Sequence, residues 1–212
     1  MIRKDIDLFL ATLPQGITLV AASKYGSKED ILTLYNHGVT TFGENRVDAF
    51  LTKYEELKDY HDIKWHFIGH LQRNKAKLII YKIDALESLD SLELASMINK
   101  YRDTPLDTFI EVSINLEENK NGVPYYEVEN FINKVKEYPN IHLVGLMMMA
   151  VKGSLNTQEQ FHKLKELRDD LEGKCDIKLP YLSMGMTDDY LEALKEGATH
   201  IRLGRILFVT SE

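Results

Sequence analysis

Cysteine is nearly absent from this chain of 212 residues, in which Cys175 is the only one. One cysteine excludes a disulfide within the chain and a metal cluster held by several thiolates. The residues around it, GKCDIK, are typical of a surface connection, so we predict no role for this thiol.

Long hydrophobic runs and an excess of positive charge are also missing. The chain begins MIRKDIDLFLATLP, which is not a secretory signal, and no segment is long enough to span a bilayer. Lysine and arginine number 26 against 33 aspartates and glutamates, which gives a net charge of −7. This balance argues against nucleic acid as a partner, although a few backbone amides and one arginine can hold a small phosphate. We therefore expect a cytoplasmic protein with neither nucleic-acid nor membrane partners.

Short apolar runs alternate along the chain with longer segments of helical period. Ser88 and Thr157 are predicted to begin two of the helices as N-terminal caps, and Gly38 and Gly197 follow helices as C-terminal caps do. The predicted strands are residues 19–23, 40–42, 65–69, 82–86, 108–114, 142–148, 181–185 and 200–204. The predicted helices are residues 5–13, a segment beginning near Ser27, and residues 45–57, 88–101, 124–137, 157–171 and 187–196.

Roughly eight strand–helix units in a chain of this length predict an α/β fold, a closed (β/α)8 barrel of the TIM type with an extra N-terminal helix. A doubly wound open sheet is the alternative. That fold usually has a glycine-rich first turn, whereas the first turn here reads SKYGSKED and no phosphate-binding glycine motif is present. In barrels of this type, catalytic and binding residues lie at the C-terminal ends of the strands. Polar residues lie at these ends: Lys24, Glu44, Asn45, His70, Gln72, Glu87, Asn115, Ser183 and Arg202.

Lys24 is the most informative of these residues. It follows the apolar run 17–22 and precedes a turn and a helix. A lysine at the junction of a buried strand and a turn is poorly placed for solvent contact alone. Desolvation there would favour the neutral amine, which is the nucleophile that attacks aldehydes.

The ends of the last two predicted strands are the next informative feature. In barrels of this type, the loops after strands seven and eight often bind phosphate through backbone amides and a helix N-terminus. Gly185 and Gly204 would allow close approach of the backbone, and Ser183 offers a hydroxyl. The alternative is that these glycines only serve turns, and spacing alone does not decide between the two.

Arg202 alternates with Ile201 and Leu203, so its side chain is predicted to face the barrel interior. A buried arginine needs an acceptor, and spacing alone favours an ion pair with a carboxylate such as Glu111. His66 is interpreted as a hydrogen-bonded residue of the inner face. No metal site is predicted, because no further ligands accompany the histidines.

Six motifs together resemble the pyridoxal phosphate homeostasis protein family, in order and over nearly the whole chain. They are LVAASKYGS, FGEN, WHFIGHLQRNK, GLMMMA, LSMGMTDD and IRLGRILF. The family is similar to the barrel domain of alanine racemase, the fold type III class of proteins that bind pyridoxal 5'-phosphate (PLP). The resemblance implies one PLP-binding barrel domain over residues 1–212, without the second β domain of the racemases.

The resemblance also implies roles for residues. Lys24 would hold PLP as a Schiff base, the internal aldimine, and Arg202 would face the pyridine nitrogen and disfavour its protonation. The remaining implied positions are Asn45 and Met147 near the ring, and Ser183, Met184, Gly185, Gly204 and Arg205 around the phosphate. Two positions depart from the family: Arg205 stands where threonine is frequent, and Phe208-Val209 replaces the usual Phe-Gly.

The function implied is intracellular PLP homeostasis by a monomer that stores PLP or delivers it to PLP-dependent apoenzymes. Without the second domain of the racemases, the cofactor would sit in an open mouth, suited to exchange and poor at excluding water. The alternative is a PLP-dependent racemase or related enzyme. A further alternative is a phosphate-binding barrel that takes another ligand and forms no Schiff base.

Overall fold

The computed structural model describes residues 1–114, 121–151 and 156–208. Two residues singled out above, Asn115 and Val209, lie outside these ranges. The strands are β1 (Thr18–Ala22), β2 (Thr41–Glu44), β3 (Lys64–Phe67), β4 (Ala85–Leu89), β5 (Leu106–Ser113), β6 (Val123–Pro124), β7 (Ile141–Met147), β8 (Tyr181–Ser183) and β9 (His200–Leu203). The helices are α1 (Ile6–Thr12), α2 (Lys28–Asn36), α3 (Val47–Glu56), α4 (Arg73–Ile79), α5 (Leu92–Tyr101), α6 (Val128–Val135), α7 (Thr157–Cys175) and α8 (Tyr190–Lys195).

The described strands form a closed parallel barrel. Their order is β4-β3-β2-β1-β9-β8-β7-β5, and pairing of β4 with β5 closes the ring. The two-residue strand β6 adds to β5 outside this ring. The predicted (β/α)8 barrel is therefore confirmed, as is the extra N-terminal helix, α1. Ile2 forms an antiparallel bridge with Phe208, so the first residues of the chain lie against the turn that follows β9.

Apolar side chains separate into two layers, one between the barrel and its helices and one inside the barrel. The outer layer is a continuous cluster that includes Phe42, Phe50 and Phe161, all fully buried. The inner layer contains a small apolar cluster and several polar side chains described below. Among the described residues, no helix combines the length and the apolar character needed to cross a membrane.

The fourth strand lies three residues further along the chain than predicted. Residues 82–86 were predicted, whereas β4 is Ala85–Leu89. Glu87 and Ser88 are polar and resembled the end of a strand, but both are fully buried within it. Ser88 donates a hydrogen bond to the Gly69 carbonyl at 2.6 Å instead of capping a helix. Ser91 caps α5, accepting from the Leu94 amide at 3.4 Å.

Helix α7 also differs from its prediction at both ends. Its cap is Asn156, whose side chain accepts from the Glu159 amide at 2.8 Å, and not Thr157. The helix continues to Cys175, which is buried, so the prediction of a surface connection around this cysteine is wrong. The reason is that the last helical turn packs Cys175 against the outer apolar layer. Gly38 and Gly197 have φ angles of +88° and +87° after α2 and α8, which confirms both C-terminal caps.

Gly145 in β7 lies very close to the backbone of β8. A Cβ atom built on it would lie 2.1 Å from the Tyr181 carbonyl oxygen. We expect Gly145→Ala to lower the free energy of unfolding by about 2–3 kcal/mol, because the backbone of β8 cannot move aside. Gly173→Ala is the matched control: that site in α7 is open, so alanine should stabilise the helix by roughly 0.5–1 kcal/mol. Urea denaturation measures both changes, and equal effects of the two variants would contradict the prediction.

Candidate functional site

Lys24 lies directly after β1, in a single 3₁₀ turn formed by Ser23–Tyr25. The predicted position at the junction of strand and turn is therefore confirmed. The prediction that the protein desolvates this amine is wrong, because the side chain is exposed. Its Nζ atom lies 4.7 Å from the centre of the Tyr25 ring. A cation over an exposed aromatic ring gains only about 0.5–1 kcal/mol, so the amine can leave this position easily.

The Lys24 turn lies beside the turn that follows β9. Strand β1 pairs with β9, and their register places Ala21 opposite Leu203. A Cβ atom on Gly204 would lie 3.4 Å from the Ala22 carbonyl oxygen. Gly26 packs against the Phe208 ring so closely that a Cβ atom there would come within 2.5 Å of it. The barrel closure thus brings the lysine and the predicted phosphate loop together.

The chain after β9 forms a tight turn that begins at Gly204. The amides of Leu207 and Phe208 both donate to the Gly204 carbonyl, at 2.8 and 3.0 Å. The first amides of such a turn have no carbonyl partner within it, which makes them suited to an anion. Arg205 is exposed at the same place and forms an ion pair with Asp188 at 2.7 Å. This ion pair links the two loops that were predicted to bind phosphate.

The end of β8 lies next to this turn. The Met184 amide donates to the His200 carbonyl at 3.1 Å, and the Arg202 amide donates to the Gly185 carbonyl at 2.9 Å. Gly185 has a φ angle of +94°, and a Cβ atom there would lie 2.6 Å from the Ala193 side chain. Glycine is therefore required at this position by the turn itself, whatever ligand the loop holds.

Ser183 is fully buried, and its hydroxyl is engaged inside the barrel. It donates to Glu87 Oε2 at 2.6 Å and accepts from the Arg202 guanidinium at 2.6 Å. The hydroxyl therefore holds Arg202 in place in this structure. Its implied contact with a phosphate stays a prediction.

Arg202 faces the barrel interior, as predicted, and only 4% of it is exposed. Besides Ser183, it donates to the Met148 carbonyl at 2.8 Å. Its ion pair with Glu87 at 3.9 Å confirms the predicted pairing with a carboxylate, although the partner is Glu87 and not Glu111. Glu87 was expected at the end of its strand, but β4 lies three residues further along the chain and carries this carboxylate into the interior, where it pairs with Arg202.

Glu87 is the carboxylate around which the interior polar groups assemble. Burial raises the pKa of Glu87, but a 2.6 Å hydrogen bond with His66 and the positive charges of His66 and Arg202 outweigh it and lower the pKa to about 2. His66 is therefore the hydrogen-bonded inner-face residue that was predicted. Burial lowers the pKa of the neighbouring His200 to about 4, against the opposing charge of Glu87. The interior thus holds an ionised Glu87 carboxylate near the Arg202 guanidinium.

The polar side chains inside the barrel, Glu87, His66, Ser183 and Arg202, form the floor of the barrel mouth. The other predicted residues lie around this floor. Met147 is fully buried in the inner cluster with Phe109 and Val144. Asn45 is exposed directly after β2. Gly69 lies close to its backbone, and a Cβ atom at position 69 would come within 2.4 Å of the Asn45 carbonyl oxygen, so only glycine fits at that position. His70 and Gln72 follow β3, the neighbour of β2, and line a cleft of about 860 Å³ together with Asp90. The described residues contain no group of three or more side chains arranged to hold a metal ion.

Sequence reasoning missed Lys53 in α3. Its ammonium reaches both the Glu44 carboxylate and the Ser23 carbonyl, immediately before Lys24. A signal was present, because Lys53 falls between Phe50 and Leu57 on the apolar face of its helix, where a charge needs a partner.

Glu111 gives the site a pH dependence that can be measured. Burial, followed by the negative charge of Asp90, raises the pKa of Glu111 to about 7, against the lowering effect of Arg202 and His70. The folded state therefore binds this proton more tightly than the unfolded chain, and stability falls as the pH rises from about 4.5 to about 7. We expect Glu111→Gln to be more stable than the wild type at pH 8, by on the order of 2 kcal/mol, with little of this gain at pH 4.5.

Urea denaturation at both pH values tests this expectation. Glu137→Gln, an exposed site with the same change of charge, is the control and should show no such gain. A gain for Glu111→Gln that is equal at both pH values would contradict the titration of Glu111.

Comparison with known proteins finds relatives both by sequence and by structure. The family model of the alanine racemase N-terminal domain matches residues 10–212. A pyridoxal phosphate homeostasis protein of Aquifex aeolicus is 42% identical over 195 residues, covering 90% of this chain and 85% of the relative. PipY of Synechococcus elongatus PCC7942, solved without PLP, has a TM-score of 0.91 at 30% identity and covers 98% of this chain and 100% of its own.

The same PipY has also been solved with PLP bound, and that structure has a TM-score of 0.87 at 29% identity over 97% of this chain and 98% of its own. Alanine racemase of Corynebacterium glutamicum shares the fold, with a TM-score of 0.72 at 14% identity over 91% of this chain and 55% of its own. The chain described here belongs to the pyridoxal phosphate homeostasis protein family.

Proposed function

We propose that this chain binds PLP, with covalent attachment to Lys24, and acts in intracellular PLP homeostasis by reversible storage or delivery. One observation carries this proposal: the exposed Lys24 amine stands on the strand that pairs with β9, beside the turn that begins at Gly204. An amine and an anion site are thereby adjacent at the mouth. The relatives named for PLP homeostasis and the PLP-bound structure of PipY support it.

The residues at the mouth fit the chemical groups of PLP. Its phosphate needs hydrogen-bond donors, and the Gly204 turn supplies amides next to the Arg205 guanidinium. Without a Cβ atom, Gly204 leaves its backbone open to a close ligand. PLP supplies an aldehyde, which a lysine amine can bond reversibly. Lys24 is the amine that the proposal assigns to this bond.

Arg202 is the residue assigned to the pyridine nitrogen. A guanidinium has only donors and stays charged, so it disfavours a proton on a nitrogen beside it. Two of its nitrogens donate to the Ser183 hydroxyl and the Met148 carbonyl, which fixes the plane of the group before any ligand arrives. Arg202 thus keeps a proton off the ring and limits the electron withdrawal that catalysis of amino-acid chemistry requires.

Exposure of Lys24 favours exchange over catalysis. A covalent bond at an exposed amine is reached by water and by other amines, whereas enzymes that use PLP chemistry exclude water from it. PLP-dependent apoenzymes are the recipients in this proposal, and the cytoplasm is where they would meet. Storage and delivery both require an attachment that solvent can reverse.

Borohydride reduction after incubation with PLP tests the attachment. We expect a visible absorption band, and after reduction one phosphopyridoxyl group on the peptide that contains Lys24. Lys24→Ala should abolish both signals, because the amine that bonds the aldehyde is removed. Lys28→Ala, a neighbouring lysine at the start of α2, is the matched control and should keep both. An adduct that maps to another lysine, or none in the wild type, would rule out the proposal.

Arg205 provides a separate test of the phosphate site. We expect Arg205→Ala to weaken PLP binding by about tenfold, since a charge-assisted hydrogen bond contributes roughly 1.5 kcal/mol or more. Binding of pyridoxal, which lacks the phosphate, should change by no more than about twofold. Arg205→Lys keeps the charge and should lose less affinity for PLP. Fluorescence titration measures all of these, and equal weakening for both ligands would show that Arg205 acts on the fold of the mouth instead.

A further inference from the structure

A buried ion pair lies beneath the turn that carries Lys24. Glu44, at the end of β2, is fully buried, and Lys53 reaches it from α3. The two charges meet at Ser23, the first residue of the 3₁₀ turn. Three elements of the fold, β2, α3 and the turn after β1, therefore converge one residue before Lys24.

The contacts at this point act on the peptide group that joins Ser23 to Lys24. Lys53 Nζ lies 2.5 Å from the Ser23 carbonyl oxygen and also bonds Glu44 Oε1. The Ser23 hydroxyl donates to the same carboxylate oxygen at 2.6 Å. The Gly26 amide closes the 3₁₀ turn onto the same carbonyl at 2.8 Å. Side chain and backbone of Ser23 are thus both held, and the direction in which Lys24 leaves the backbone is set.

Stability alone does not account for this arrangement. Taking two charges out of water costs several kcal/mol for each ion, and apolar residues of similar size often stabilise a fold as well or better. Glu44 Oε2 adds to the cost, because it is the one buried side-chain oxygen or nitrogen without a hydrogen-bond partner in the part of the chain that the structure describes. An ion pair that costs stability and contacts the Ser23 carbonyl is better explained by a role in positioning the next residue, Lys24.

We infer that Lys53, oriented by Glu44, is a positioning residue for Lys24: its ammonium fixes the Ser23 carbonyl and with it the turn from which the Lys24 amine reaches the PLP aldehyde. This inference rests on the proposed function. Lys53 itself touches neither the amine nor the mouth, since its side chain is buried to all but 12% against Glu44 and Ser23.

The test compares the rates at which PLP attaches to two double variants, each of which keeps the net charge of the protein unchanged. Lys53→Met combined with Glu44→Gln removes both charges and the ammonium contact with Ser23. On mixing with PLP, we expect the stopped-flow absorption change that reports attachment to slow by roughly 10- to 100-fold, because a misplaced reacting group costs that much. Lys58→Met combined with Glu55→Gln is the matched control: it removes an exposed ion pair at the end of the same helix and should leave the rate unchanged.

A second ligand separates positioning from a general structural effect. Pyridoxamine 5'-phosphate has an amine where PLP has the aldehyde, so it occupies the mouth without bonding Lys24. We expect its affinity for the Lys53/Glu44 double variant to stay within about twofold of the wild type. Attachment of PLP at the wild-type rate, or equal losses for both ligands, would overturn the inference.

Folding of the variant does not limit the test. If the double variant with glutamine fails to fold, Lys53→Met with Glu44→Leu replaces the pair by apolar side chains, a change that buried ion pairs often tolerate. Failure of the proposed function gives a different result from failure of this inference. In the first case the wild type forms no adduct at Lys24, and in the second the wild type and the variant form it equally fast.

Discussion

A carboxylate inside the barrel is the constraint on which the rest of the site depends. Glu87 is fully buried, and an ion in that position without partners would cost several kcal/mol. Its partners come from three other strands: His66 from β3, Ser183 from β8 and Arg202 from β9. One side chain therefore fixes the orientation of Arg202 and ties strands from opposite sides of the barrel together. The floor of the mouth is set before any ligand binds.

The rim of the mouth is organised differently from this floor. Lys24, Asn45 and Arg205 are exposed, and the contacts that two of them make, with the Tyr25 ring and with Asp188, are weak ones in water. A fixed floor lowers the entropic cost of binding a ligand, and a loosely held rim can rearrange around that ligand. The contacts of Ser23 with Glu44 and Lys53 lie between the floor and the rim. They hold the backbone from which the exposed Lys24 side chain extends.

Much of the fold followed from local patterns, and the errors came from long-range partners. Alternation of apolar runs and helical segments predicted the barrel, and the inward face of Arg202 followed from its two apolar neighbours. The end of β4 was predicted too early because Glu87 and Ser88 are polar, and polar residues usually mark the end of a strand. Only their partners elsewhere in the barrel show that they lie within the strand. The burial of Cys175, the exposure of Lys24 and the role of Lys53 depend in the same way on which elements pack together. Residue type and spacing within one segment do not contain that information.

Pairing of β1 with β9 has a consequence for folding. These strands lie near opposite ends of the chain, and Thr18 pairs with His200. Closing so long a loop carries the largest entropic cost among the strand pairings and is expected to come late. The Lys24 turn and the Gly204 turn lie on the two sides of this closing seam. A chain still emerging from the ribosome has no β9 to offer, so competence to hold a ligand between these turns appears only when the barrel is complete.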